Sequence, residues 1–154
     1  MLPENFEKSL LTLSLDERIA EIASLFKGQK LVFSTSFGQE DQAITYAIAS
    51  QKLPIEIFTL DTGRQFQESY ELIDLTVKKL DFTLQTFFPQ TAAVEELVKT
   101  KGFNSFYTSV ENRKECCFIR KIEPLNRALQ GANVWITGLR AEQSENRADM
   151  PMIE

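Results

Sequence analysis

Leu31-Val-Phe-Ser-Thr-Ser-Phe-Gly-Gln-Glu-Asp41 is the stretch that decides the fold. Leu31 to Ser36 is a short, apolar, β-prone run, and Phe37-Gly38 breaks it. From Gln39 to Ser50, Ala43, Ile44, Ala47 and Ile48 then recur at helical spacing. Strand, tight glycine turn, helix is the opening unit of an α/β sheet.

The same unit repeats outward. Ile55–Leu60 reads as a strand ending in Asp61-Thr-Gly63, followed by a helical pattern from Gln65 to Leu80. Phe82–Phe88 reads as a third strand closed by Pro89, Ala92–Lys101 as a helix, and 102–111 as an aromatic-rich connection. Cys116–Gln130 fits a helix if Pro124 is accommodated by a kink or break. Asn133–Thr137 is a fourth strand, again ending in glycine, Gly138. Upstream, residues 1–28 read as peripheral helices, with Ser14 and Glu17 as a capping box and Gly28 as a stop. Strands alternating with helices predict a parallel twisted sheet flanked by helices, in a single domain over 1–154.

Bulk properties limit the function. A net charge of −5 disfavours generic nucleic-acid binding. No run of 18 apolar residues and no signal-peptide pattern is present, so a cytoplasmic protein off the membrane is expected. Histidine is absent, which excludes imidazole acid–base catalysis and His-containing metal sites within this chain. In a reducing compartment the two cysteines, Cys116 and Cys117, are expected as reduced, ligating or reactive thiols rather than a disulfide.

Ligands of parallel sheets sit at the carboxyl ends of the strands, so the polar turns there are the candidate site. Ser34, Ser36 and Gly38 lie in a turn suited to an anion, although neither a Walker A loop nor a dinucleotide fingerprint is present. An ordinary strand–helix turn reads equally well there. Asp61, Gly63 and Arg64 place a carboxylate, a flexible turn and a guanidinium at the second strand end. The alternative is a plain turn with Arg64 solvated. After the fourth strand, Gly138, Arg140 and Arg147 sit in a polar loop that could equally be solvated.

Arg113, Lys114, Arg120 and Lys121 surround the thiols. If a helix starts near Glu115, its positive end lowers their pKa, and Lys121 stands i,i+4 from Cys117. Two thiols hold a metal centre only with help, because zinc and iron–sulfur sites usually take four ligands. A buried, inert pair is the competing reading.

Together, Ser36-Phe-Gly38, Leu60-Asp-Thr-Gly-Arg64, Glu115-Cys-Cys-Phe-Ile-Arg-Lys-Ile-Glu-Pro-Leu125 and Thr137-Gly-Leu-Arg140 with Gln143, Ser144 and Arg147 resemble the assimilatory sulfonucleotide reductases. The paired cysteines resemble the adenylyl-sulfate branch, whose members carry a [4Fe–4S] cluster. The resemblance implies an adenine-nucleotide alpha-hydrolase-like fold related to the PP-loop proteins. It implies reduction of adenylyl sulfate to sulfite and AMP with thioredoxin or glutaredoxin as donor, in sulfate assimilation and cysteine biosynthesis. A cysteine thiolate attacks the sulfonucleotide sulfur, AMP leaves, and a dithiol frees sulfite. Cys116 and Cys117 are implied as cluster ligands, with Lys121 between cluster and substrate. Ser34, Ser36, Gly38, Asp61, Gly63, Arg64, Lys121, Gly138, Arg140 and Arg147 are implied in the nucleotide pocket.

The departures set further expectations. The family's later Cys-x-x-Cys pair and nucleophilic Cys-Gly-Leu-His tail do not occur here, and its usual Arg-Arg is Arg140-Ala141. An amino-terminal, truncated reductase is expected, inactive alone and with an absent or incomplete cluster. The nucleophile is expected beyond Glu154, and a homo-oligomer stays open. Phosphoadenylyl-sulfate reduction and a non-catalytic nucleotide-binding module are the alternatives. An ATP pyrophosphatase or small ATP sulfurylase subunit favours a Ser-Gly-Gly-x-Asp-Ser loop, which Ser36–Asp41 fits poorly.

Overall fold

A computed structural model describes residues 5–139 and 151–153. Four strands, β1 (Leu31–Ser34), β2 (Ile55–Leu60), β3 (Leu84–Phe87) and β4 (Val134–Thr137), form one sheet in the order β3-β2-β1-β4. Every pairing is parallel, with Leu31 opposite both Ile55 and Val134. The expected α/β architecture is present, and each strand falls within the stretch read from the sequence.

Helices cover both faces. α1 (Phe6–Leu11), α2 (Leu15–Leu25), α3 (Gln39–Ser50), α4 (Gln67–Leu80), α5 (Thr91–Lys101), α6 (Val110–Cys117) and α7 (Glu123–Ala128) alternate with the strands. β1 is central, so its side chains are buried on both faces, as a parallel strand requires. Leu31 and Phe33 pack with Ile55 and Ile57 against Ile19 and Ala23 of α2 and Ile44, Ala47 and Ile48 of α3. Val32 and Phe58 face the other way, onto Ala128 of α7 and the partly buried Leu125 and Leu129. Ala43, expected on the buried face of α3, is exposed; Thr45 is buried instead.

Local signals explain several boundaries. Ser14 starts α2 through the expected capping box: its N–H donates to Glu17 Oε2 at 2.8 Å and its Oγ accepts from Glu17 N–H. The Ser14 hydroxyl, which donates to Glu17 Oε2 at 2.7 Å, and then the Ser14 N–H hold the exposed Glu17 carboxyl below the usual range. The cysteine helix differs from expectation. It starts at Val110, where Ser109 Oγ accepts the Asn112 N–H at 3.1 Å, and not near Glu115. Cys116 and Cys117 therefore end α6, and the positive pole of a helix N-terminus is not beside them. Nor does Pro124 break the chain. A π-helical turn, Phe118–Ile122, joins α6 to α7 with helical backbone throughout, and Pro124 falls in the first turn of α7. Proline lacks an N–H, and a widened turn ahead of it loses little.

Among the described residues, no helix is long and apolar enough to cross a membrane.

Candidate functional site

The ends of β1, β2 and β4 open on one cleft, with a cavity volume of about 790 Å³. That is the size of a small-molecule site. Ser34, Ser36, Asp61, Gly138 and Lys121 all line it, so five of the candidate residues meet. Lys121 arrives from the π turn, carried by the same helical run as the cysteines. Phe58, Leu60, Leu125 and Trp135 give the cleft apolar wall.

The turn after β1 is tightly tied. Ser36 donates both its N–H and its Oγ–H to Asp41 Oδ2, each at 2.6 Å. Phe37 takes a positive φ of 60°, and its N–H reaches Thr35 Oγ1 at 3.0 Å. Thr59 Oγ1 in turn donates to Thr35 O at 2.8 Å, fixing the turn to β2. Gly38 stands outside the cleft lining as the N-cap of α3. It offers no side-chain acceptor to the first amides of this twelve-residue helix. The anion-cradle reading thus keeps the helix amides, while the Ser36 donors belong to Asp41.

The turn after β2 behaves differently from the functional reading. Asp61 is buried and Oδ1 accepts the Gly63 N–H at 2.7 Å, a local Asx turn that Gly63 completes at φ +74°. Asp61 Oδ2 accepts the Tyr70 hydroxyl at 2.8 Å. That hydrogen bond, with burial and the carboxylate's charge, raises the Tyr70 pKa above 10.0. Gly63 and Arg64 do not line the cleft. Arg64 reaches back to Phe103 O at 2.9 Å and Asn104 Oδ1 at 3.2 Å, over the Phe106 ring. Its guanidinium stays exposed and turns away from the cleft, clasping the aromatic-rich connection. Arg120 is buried below the same turn and donates to Thr62 O at 2.6 Å.

Of the residues that sequence reasoning missed, Asp41 and Trp135 stand out. Trp135, the only tryptophan, lines the cleft and donates from Nε1 to Ser34 Oγ at 2.9 Å. An acid in the first turn of a helix ordinarily answers the helix dipole, so Asp41 gave no separate signal. Arg140 and Arg147 lie outside the described residues. Among the described residues, Glu40, Asp41, Asp61, Asp74 and one cation, Lys121, line the cleft.

Cys116 is buried, Cys117 is exposed, and both are free thiols. Neither lines the cleft. Two soft donors at adjacent helical positions are half of a four-thiolate set, so they fit an iron–sulfur cluster in kind but not in number. Among the described residues, no group of three or more His, Cys, Asp or Glu comes together as metal ligands.

Residues 30–154 match the family model described as "Phosphoadenosine phosphosulfate reductase domain". The chain is 50% identical over 145 residues to an adenosine 5'-phosphosulfate reductase of Rhizobium meliloti, covering 94% of this chain and 54% of that protein. It is 41% identical over 158 residues to the enzyme of that name from Allochromatium vinosum, covering 99% of this chain and 62% of that one. The chain thus spans a little over half the length of the curated relatives it matches. Among solved structures, the phosphate complex of phosphoadenylyl-sulfate (PAPS) reductase from Candida auris is similar. It superposes with a TM-score of 0.78 at 27% identity, covering 100% of this chain and 74% of that one.

Proposed function

Because this chain belongs to the phosphoadenosine phosphosulfate reductase domain family, we propose that its cleft binds a sulfonucleotide, adenylyl sulfate, for reduction to sulfite and AMP. One observation carries the reading: Lys121 enters the strand-end cleft from the helical run that bears Cys116 and Cys117. An ammonium at the cleft is a point charge for phosphate or sulfate. The aromatic and aliphatic wall of Phe58, Trp135 and Leu125 suits an adenine ring.

In the proposed reaction a thiolate attacks the substrate's sulfur, the sulfur–oxygen bond breaks, and AMP departs with the bonding pair. A dithiol of the thioredoxin or glutaredoxin type then reduces the resulting thiosulfonate. It becomes a disulfide while sulfite is released and the thiol is regenerated. This chain's residues bind and orient. Lys121 offsets the developing charge on the phosphosulfate. The helix amides beyond Gly38 add dipoles, and the apolar wall holds the base out of water. Cys116 and Cys117 are the only cysteines, and neither meets the cleft. The attacking thiolate is therefore assigned to a segment outside these 154 residues, and the chain alone is expected to release no sulfite. Ser34, Ser36, Asp61, Gly138 and Lys121 are the proposed pocket residues; Gly38, Gly63 and Arg64 support its turns. Arg140 and Arg147 are proposed as further cations on the residue types alone.

Cys116 and Cys117 are the two residues here that would hold a [4Fe–4S] cluster, as half its ligand set. When bound, the cluster would supply a compact centre of thiolate and sulfide charge. The cysteine pair also supports adenylyl sulfate over its 3′-phosphorylated form, in keeping with the names of the curated relatives. A cytoplasmic setting suits thiols that must stay reduced.

Trp135 provides the test, as the lone tryptophan, set in the cleft wall and excited selectively. AMP and adenylyl sulfate should quench or shift its emission saturably, with calorimetry giving a matching affinity. No response to either nucleotide up to millimolar concentration would sink the nucleotide reading. Tighter binding of the 3′-phosphorylated form would instead move the preference to phosphoadenylyl sulfate.

A further inference from the structure

Ser36 and Gly138 come from turns remote in sequence, yet one side chain touches both. Asp41 is 8% exposed, and its Oδ2 takes both polar hydrogens that Ser36 can offer. A Cβ placed on Gly138 would overlap Asp41 Oδ1 and come within 3.1 Å of its Cγ. Gly138 is not among the residues of positive φ, so its lack of a side chain answers to space and not to backbone conformation. The backbone nitrogen of Asp41 lies 3.4 Å from the same point, and Thr45 Oγ1 holds Asp41 O at 2.7 Å. The start of α3 therefore presses against the end of β4.

We propose that Asp41 is a positioning residue of the cleft: its carboxylate joins the turn after β1 to the turn after β4 and sets the distance between these two walls. The inference rests on the nucleotide reading above and adds to it a residue that need not touch the ligand. A buried carboxylate is costly unless donors surround it, and the two charge-assisted bonds from Ser36 answer one oxygen. The other oxygen faces the bare Cα of Gly138, which lets β4 approach without a competing side chain. Because a carboxylate only accepts, the Ser36 hydroxyl proton is committed to Asp41. What Ser36 turns to the cleft is a lone pair, so it receives a hydrogen bond from a ligand hydroxyl or amine instead of donating one to phosphate.

The test is a double-mutant cycle on this chain, read by thermal melting without ligand and by AMP titration of Trp135 fluorescence. Gly138→Ala should lower the melting temperature and weaken AMP binding by about tenfold or more, the scale of a lost charge-assisted bond. In an Asp41→Ala background, Gly138→Ala should lower the melting temperature no further, because the overlapping carboxylate is gone. Asp41→Asn keeps the size and the fold, but its amide oxygen accepts the Ser36 hydrogens without the carboxylate's charge and its NH2 stands against Gly138. It should weaken AMP binding several-fold with little change in melting, and Asp41→Glu should not restore it. An equal melting penalty of Gly138→Ala in both backgrounds overturns the clamp. Parent-like AMP affinity in both Asp41→Ala and Asp41→Asn overturns the positioning role even if the melting cycle is non-additive. No AMP response in the parent overturns the nucleotide reading and this role together, so the two failures are told apart.

Discussion

The turn after β1 and the helical run from Val110 to Ile122 both serve the cleft, but they are built in opposite ways. The first is closed on itself. Ser36, Asp41, Thr35 and Thr59 answer one another, and the strand before it is buried on both faces. The second keeps its chemistry outward. Cys117 and Phe118 are exposed, and Lys121 takes no ion-pair partner among the described residues. A buried polar turn must be fully satisfied or it destabilises the fold, so it is preorganised by necessity. A surface helix can hold thiols and an ammonium ready for partners at little cost. Arg120 links the helical run to the sheet edge: it is buried and bonded to the Thr62 carbonyl in the turn after β2.

Packing offers the hardest way to break this contrast. Phe33 is 0% exposed and directly precedes the closed turn. Phe33→Ala should cost about 3–5 kcal/mol in urea unfolding, whereas Phe118→Ala, at a site 55% exposed, should stay within about 0.5 kcal/mol. Equal costs would mean that the cysteine helix is as much part of the core as β1. Arg120→Met tests the link: losing the bond to a part-buried carbonyl should cost about 1–3 kcal/mol. Removing Lys121 should separate binding from stability. Lys121→Met should weaken AMP and adenylyl-sulfate binding about tenfold while leaving the urea midpoint in place.

The smallest effect belongs to Tyr70. Its pKa is raised above 10.0 chiefly by the hydrogen bond to Asp61. A raised folded-state value means that the stabilisation is full below pH 10.0 and is lost as pH rises through the folded pKa. Tyrosinate absorbance should show Tyr70 ionising above pH 10.0, and Asp61→Asn should lower its pKa. Stability of Tyr70→Phe should show less decline than the parent across that alkaline range. Glu17 runs the other way: its lowered pKa means that the capping-box contribution is present above 4.5 and fades on acidification.

Much of the site was legible because its residues cluster in short motifs at strand ends. Ser34, Ser36, Asp61 and Gly138 are legible from residue type at the strand ends and Lys121 from the family motif, and all five line one cleft. Arg64 was not legible in the same way. A guanidinium in a glycine turn can face a ligand or reach Phe103 and Asn104, and only the placement of the aromatic-rich connection decides between them. The helix start at Val110 was missed because Ser109, its N-cap, sits in a stretch without apolar periodicity.

The sequence by itself determined the alternation of strands and helices, the glycine-ended turns, the capping box at Ser14 and the family motifs. Each of these is written in neighbouring residues, through period, propensity and local hydrogen bonding. Tertiary structure alone decided that Asp41 meets Gly138, that Arg120 underlies Thr62, and that a π turn carries Lys121 into the cleft. Those outcomes depend on which distant turns the parallel sheet brings together, and a contact between remote residues leaves no period in the chain that makes it.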